Sequence, residues 1–357
     1  MTGRGIDQVL PHPSNPTLFE SYVRSATEYV ELAERATGPV PSSVDFDYVW
    51  GDALLELGRE RPDARIVNLE TAVTTSDDAW PAKAVLYRMH PANIPCLTSA
   101  HIDCCTLANN HVLDWGRAGL AQTLATLHES GIRTTGAGGN ATEAAAPAII
   151  VIGSGIRILV FAFAMGSSGV PRAWRATQNS SGVNWIEDLS ARTIGAIGRQ
   201  VAAFVRQGDI VVGSVHWGGN WGYPITRRER EFAHEMIDTA GIDIVHGHSS
   251  HHVKGIELHH GKPILYGCGD LINDYEGIGE YETYHADLGL MYLATVDVDS
   301  RRLVRLSMLP TQIRHLRINS APPDAADWLL HTLDRECRQL GTSIQSSPSG
   351  GFVLLEH

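Results

Sequence analysis

The chain has 357 residues, 43% of them hydrophobic and 19% charged, a balance that fits a folded protein with one sizeable core and excludes the disordered and fibrous classes. Its 28 Lys+Arg against 40 Asp+Glu leave a net charge of -12, which argues against nucleic acid or an anionic lipid surface as partner. No run of 18 apolar residues occurs and Met1 to Ile6 does not open a signal peptide, so no membrane span is expected and the cytoplasm is the default compartment.

Leu18 to Ala36 and Val49 to Arg59 have helical periodicity, with the loop Thr37 to Ser43 between them. Ala64 to Glu70 and Ile102 to Asn110 are short apolar runs of strand type, and both end in polar side chains. Arg117 to Ser130 reads as an amphipathic helix stopped by Gly131, and Ile132 to Gly138 extends again. Ala148 to Ile152 and Ile156 to Ala164, joined by Gly153-Ser154-Gly155, predict a hairpin that opens into a Gly/Ser/Pro-rich loop, Gly166 to Gly182, placed to cover a site. A helix from Leu189 to Arg206 precedes the buried-strand pattern Gly208 to Gly218; a helix from Arg227 to Ala240, stopped by Gly241, precedes the strand Ile242 to His248. Val253 to Leu258 with Pro263 to Gly267, and Gly289 to Val298 with Leu303 to Leu309, predict hairpins. A last helix from Ala325 to Gln339 leads into a polar tail, where Ser-Ser-Pro-Ser-Gly-Gly reads as a mobile linker to the apolar Phe352 to Leu355. The pattern predicts an α/β fold with two layers of strands flanked by helices, divided into residues 1–320 and a C-terminal helix and tail, 321–357.

Five cysteines without a C-x-x-C pair predict buried thiols and no zinc cluster of thiolates. Of 17 histidines, eight fall between His216 and His260. Four strand ends carry Asn68-Leu69-Glu70, Ala108-Asn109-Asn110-His111, His216-Trp217-Gly218 and Gly247-His248-Ser249-Ser250-His251-His252. Ligands in α/β folds bind beyond the carboxyl ends of strands, and carboxylate, amide and imidazole donors together suit Mn²⁺, Fe²⁺ or Zn²⁺. Each piece alone also fits a satisfied core histidine or a surface acid. Asp114, three residues after His111, is spaced to hydrogen-bond one ring nitrogen and leave the other for proton transfer; a helix cap at Asp114 or Asn110 fits the same spacing.

Glu70 in RIVNLE, LANNHVLDWG (107–116), GAGGNATEAAAP (136–147), SVHWGGNWGYP (214–224) and VHGHSSHHVKGIELHHGKPILYGCGD (245–270) resemble the poly-γ-glutamate capsule biosynthesis family of the CapA type, in the calcineurin-like metallophosphatase superfamily. The resemblance runs from about Gly3 to about Asp274 and implies a four-layer α/β/β/α sandwich with a metal site at the strand ends. It also implies roles: Glu70 bridging two divalent metals, Asn110 binding one, His111 as general acid, and His216, His248 and His251 as ligands. The chain departs from the superfamily's usual Gly-His-x-His by the spacing Gly247-His248-Ser249-Ser250-His251, which leaves open which of His248, His251 and His252 reach a metal. Relatives carry an apolar strand ending in a Gly-Asp ligand just before the motif that Gly3-Arg4-Gly5 resembles. The sheet is therefore expected to lack its first strand, through a start placed too late or through true truncation, and Asp7 is not expected to substitute. An envelope anchor could belong to the same segment.

Arg4, Arg88 and Arg172 fall in segments expected near the site rim, where guanidinium forks fit phosphate or glutamyl carboxylates. Trp80, Trp115, Trp217 and Trp221 could stack on a ligand or simply pack. Three classes follow: a metal-dependent phosphoester hydrolase, a γ-glutamyl amide hydrolase or transferase, and a non-catalytic assembly factor in a polymer-synthesis complex. The expected ligand is an anionic small molecule or a glutamyl polymer.

Overall fold

Three short strands pair in parallel as the first sheet of the computed structural model, in the order Ile66–Asn68, Cys104–Thr106, Arg133–Thr135. The structure describes residues 1–153, 155–348 and 350–356, with the backbone alone at 280–282. Asn68, Thr106 and Thr135 stand level at the carboxyl edge of this sheet. The helix Gly116–Glu129 makes the crossover to the last strand, and Gly131, at φ +76°, ends it in the left-handed conformation that favours glycine.

The second sheet has six strands in the order Ile256–His259, Lys262–Leu265, Ile244–His248, Ile210–His216, Ile156–Ala164, Ala148–Ile152. Its four middle strands are parallel and its two edges antiparallel. Ile210–His216 is buried throughout, as a continuous apolar run predicts for a central strand. Ala164, His216 and His248 end at one level.

Alternation along the strands decides what each face touches. Cys104, Val160, Ile150 and Val212 pack in one cluster, so the two sheets meet face to face. On the far side of the larger sheet, Leu159, Phe161 and Val245 pack on Ile194, Ile197, Phe232 and Met236 of the helices Ala191–Ala202 and Arg227–Asp238. Cys105, on the other face of the smaller sheet, shares a cluster with Leu97, Leu120 and Leu127.

The C-terminal part departs from the sequence reading. Thr342–Ser346 and Phe352–Glu356 pair as a hairpin, and Phe352 and Val353 pair with Met308 and Ser307. They complete an antiparallel sheet with Leu288–Val296, Leu303–Arg314 and Arg317–Ser320. The polar stretch expected as a mobile linker is the turn of that hairpin, closed by Ser347 N–H donating to Gly351 O at 2.9 Å; its Ser349 lies outside the described residues, as does Ser154 of the predicted 153–155 turn. Phe352 and Ile344 pack on Leu329 and Leu333 of the helix Pro323–Arg338, and that apolar contact is what seats the tail. The helix expected from Leu18 begins only at Thr27. Leu18 N–H bonds Arg24 O and Ala26 N–H bonds Pro16 O, closing a loop that turns Leu18 and Val23 onto Tyr29. Among the described residues no helix is long and apolar enough to cross a membrane.

Candidate metal centre and proton-transfer site

The strand ends bring their polar side chains to one edge of the two facing sheets. His216 is fully buried, with Nε2 3.1 Å from Asn110 Oδ1 and 3.8 Å from Glu70 Oε1. Its Nδ1 lies 2.6 Å from His248 Nδ1, and His248 Nε2 lies 2.7 Å from Ser214 Oγ. The row admits either run of protons: from Ser214 through His248 to His216, which puts N–H on His216 Nε2, or the reverse, in which His216 Nδ1–H donates to His248 Nδ1, His248 Nε2–H donates to Ser214 Oγ and the Ser214 hydroxyl donates to Thr106 Oγ1. In the second run His216 Nδ1 keeps the proton and Nε2 presents a lone pair beside the Asn110 and Glu70 oxygens, a mixed donor set that suits a cation.

Burial holds His216 and His248 well below the ordinary imidazole value and takes His246 to about 4. All three are neutral at pH 7, the form that ligates metal. Burial also pushes the Glu70 carboxyl up to about 7, so the site carries an unrelieved cost for its negative charge. A cation would remove that cost. The set Glu70, Asn110 and His216 thus fits one divalent ion with mixed oxygen and nitrogen ligands.

His251 stands apart from this row. Its Nδ1 is 3.2 and 3.1 Å from the two oxygens of Asp270, which is further held by Asn273 Nδ2 at 3.1 Å. Burial opposes both charges, but the pair's attraction outweighs it: His251 lies above the ordinary imidazole value and Asp270 below the ordinary carboxylate value. His252 is spent elsewhere, accepting from Gly222 N–H and facing Val253 O, both at 3.0 Å. The chain can pass here because Gly247 has no side chain; a Cβ there would fall 2.5 Å from the Leu265 and Tyr266 carbonyl oxygens.

His111 forms the second device. Its Nδ1 is 2.7 Å from Asp114 Oδ2, the partner that the three-residue spacing predicts. Asp114 is fully buried and also accepts from Tyr87 N–H at 2.6 Å and from the Lys83 ammonium. Lys83 Nζ donates to Asn110 O at 2.6 Å and sits 3.0 Å from His111 Nδ1. Since that nitrogen donates to Asp114, it cannot also accept from Lys83, and Nε2 is left with the open lone pair. Burial lowers the His111 pKa to about 4. In the free chain the residue cast as an acid is therefore a neutral imidazole.

The three arginines have other partners. Arg4 is buried, with Nε and an NH2 nitrogen 3.0 and 2.6 Å from the two Asp274 oxygens and an NH1 nitrogen 2.9 Å from Glu20. Its guanidinium lies over the Tyr29 and Tyr87 rings. Tyr87 in turn meets the His111 ring edge-on at 4.6 Å, so Arg4 stands behind the site and braces it. Arg88 holds Ser76 O and Asp77 at 2.8 Å and covers Trp115. Arg172 is exposed and paired with Glu187 at 3.2 Å. Arg4 and Arg88 are thus engaged inside the fold, and Arg172 lies at the surface. Asp7 is likewise internal, accepting from Ser14, His90 and Asn93.

Of the tryptophans, Trp221 lies beside His251, with ring centroids 5.5 Å apart. The loop expected over the site meets the strand end at Ser168, whose Oγ donates to His216 O at 2.8 Å. Lys83, Ser214 and Asp270 escaped the sequence reading. Asp270 ends a quoted motif and had that signal; Lys83 sits in a stretch without a pattern.

Residues 1–275 match the family model described as bacterial capsule synthesis protein PGA_cap. The chain is 45% identical over 349 residues to a Mycobacterium tuberculosis protein named probable polyglutamine synthesis accessory protein, covering 98% of this chain and 92% of the relative. It is 27% identical over 275 residues to the PGA biosynthesis protein CapA of Bacillus subtilis, covering 77% of this chain and 61% of that protein.

Proposed function

The chain belongs to the bacterial capsule synthesis protein PGA_cap family, and from that premise we propose that it is an accessory protein of poly-γ-glutamate synthesis whose strand-end cluster is a divalent-metal hydrolase site for a phosphoester. The observation that carries the reading is the convergence of Asn110 Oδ1 and Glu70 Oε1 on His216 Nε2 among buried, neutral imidazoles. We read the facing sheets and their outer helices as the four-layer sandwich of metallophosphatases. Glu70, Asn110 and His216 would hold one Mn²⁺, Fe²⁺ or Zn²⁺; His248 would support His216 from behind, and His251 with Asp270 would serve a second ion.

A bound divalent ion supplies Lewis acidity toward a phosphoryl oxygen. The chain's residues supply the rest. Asp114 fixes the His111 tautomer, with Nδ1–H held and the lone pair left on Nε2. An anionic phosphoester close to Nε2 raises the affinity of that nitrogen for a proton, and His111 then returns the proton to the leaving oxygen. Lys83, ion-paired with Asp114, balances the carboxylate's charge and pins the Asn110 carbonyl, which sets the Asn110 side chain toward His216. The accessory role would place the chain in a polymer-synthesis complex, consistent with the name of its Mycobacterium tuberculosis relative.

The test compares bis-p-nitrophenyl phosphate with a γ-glutamyl peptide as substrates of the full chain loaded with Mn²⁺. The reading expects turnover of the phosphoester, loss of turnover with unchanged metal content in His111→Ala, and loss of both in His216→Ala. Absence of phosphodiester turnover by a metal-loaded chain, or equal metal loss in the two variants, would overturn it.

A further inference from the structure

The histidines left over by the buried cluster gather at the opposite end of the same sheet. His216 and His248 close the carboxyl ends of their strands. The turn between Ile256–His259 and Lys262–Leu265 lies at the amino end, because Lys262–Leu265 runs parallel to Ile244–His248. Helix Arg227–Asp238 also terminates there. At that pole His259 Nε2 is 2.8 Å from Asp238 Oδ2, and His260 Nδ1 is 3.1 Å from Asp238 Oδ1. Among the described residues, this is the group of His, Asp, Glu or Cys side chains in which three donor atoms all fall within 4.8 Å of one another.

The arrangement is held in place. His259 and Lys262 pair directly, so His260 and Gly261 are the two central residues of a tight hairpin, with φ of +54° and +77°. That left-handed backbone is unfavourable for histidine, yet it turns the His260 ring back over its neighbour. His260 stacks on His259 with centroids 4.1 Å apart, and His259 stacks on His234 at 3.9 Å and 8°. His234 is anchored by Glu257 at 3.0 Å. Two adjacent imidazoles thus point nitrogens at one carboxylate, at spacings close to those between ligands of a tetrahedral ion.

We propose that Asp238, His259 and His260 form a surface site for a borderline divalent transition ion, Zn²⁺, Ni²⁺ or Cu²⁺, separate from the buried cluster. In the metal-free chain the two ring N–H groups donate to the two Asp238 oxygens. On binding, each ring becomes the tautomer protonated at its other nitrogen, and the freed lone pairs and one carboxylate oxygen take the ion. Three protein ligands leave a coordination position open to water or to a donor from another molecule. Set against the pole that holds His216, the site can fill or empty without touching that cluster.

Zinc titrated calorimetrically into the full, tag-free chain tests this. A His259→Ala/His260→Ala variant is expected to bind one zinc fewer per chain, and His216→Ala is expected to keep that equivalent. Equal zinc stoichiometry in the parent chain and the double variant overturns the proposal. Anomalous scattering at the zinc edge from crystals of the unaltered chain gives a second reading. A peak about 2.0 to 2.2 Å from His259 Nε2, His260 Nδ1 and an Asp238 oxygen supports the site, and scattering absent from that pole overturns it.

Discussion

Acidification should unfold this protein through its buried imidazoles, in a window the structure sets. His111, His246 and His252 are each held at about 4 by burial, against about 6.5 for an exposed histidine. Between those values the unfolded chain binds protons that the folded chain refuses, so the stability these three rings contribute falls as pH drops from about 6.5 to 4 and levels off below. Each such histidine contributes about 3 kcal/mol to that loss. Glu70 works the other way: burial puts it at about 7, so the folded chain takes up its proton first and gains about 3 kcal/mol as pH falls toward the ordinary carboxylate range. Over these four groups roughly 6 kcal/mol is lost, comparable to the whole stability of an ordinary domain, about 5 to 15 kcal/mol, while His251, held above the ordinary imidazole value, works in the direction of Glu70. His216 and His248, which burial holds well below the ordinary imidazole value, add to the loss. Urea unfolding with chelator present, at intervals from pH 4 to 7.5, measures the slope directly. A stability flat across that window would refute the claim that these rings are neutral in the folded chain.

Arg4→Met leaves the buried Asp274 and Glu20 carboxylates without their guanidinium and should cost about 3 to 5 kcal/mol. In urea titration a change under about 1 kcal/mol would show that the pair is not desolvated. Glu70→Gln removes a carboxylate that is costly to ionise, so at pH 8 without metal it should raise stability by up to about 3 kcal/mol while lowering Mn²⁺ uptake in elemental analysis. A destabilised variant would contradict the Glu70 shift. Asp114→Asn takes the partner from both Lys83 and His111 Nδ1. Hydrolytic turnover should fall by about a hundredfold or more with metal content unchanged, and unchanged turnover would remove Asp114 from the proton-transfer role.

Much was legible from local pattern. Apolar runs of strand length between glycine stops placed the parallel strands, and their polar ends marked the edge where Glu70, Asn110, His111, His216 and His248 gather. The three-residue step from His111 to Asp114 is a local relation, and the structure keeps it at 2.7 Å. Spacing could not tell that Arg4 is spent on Asp274, 270 residues away, or that Lys83 closes on His111 and Asp114. Those partners are chosen by which segments pack together and by the cost of burying an unpaired charge. The tail misled for the same reason: Ser, Pro and Gly mark a turn wherever they stand, but only contact with Leu329 and Leu333 makes that turn part of a sheet. The protonation of the site belongs wholly to the tertiary structure. Histidine identity supplies a ring able to carry charge, and burial, which no local pattern fixes, is what keeps His111, His216 and His248 neutral.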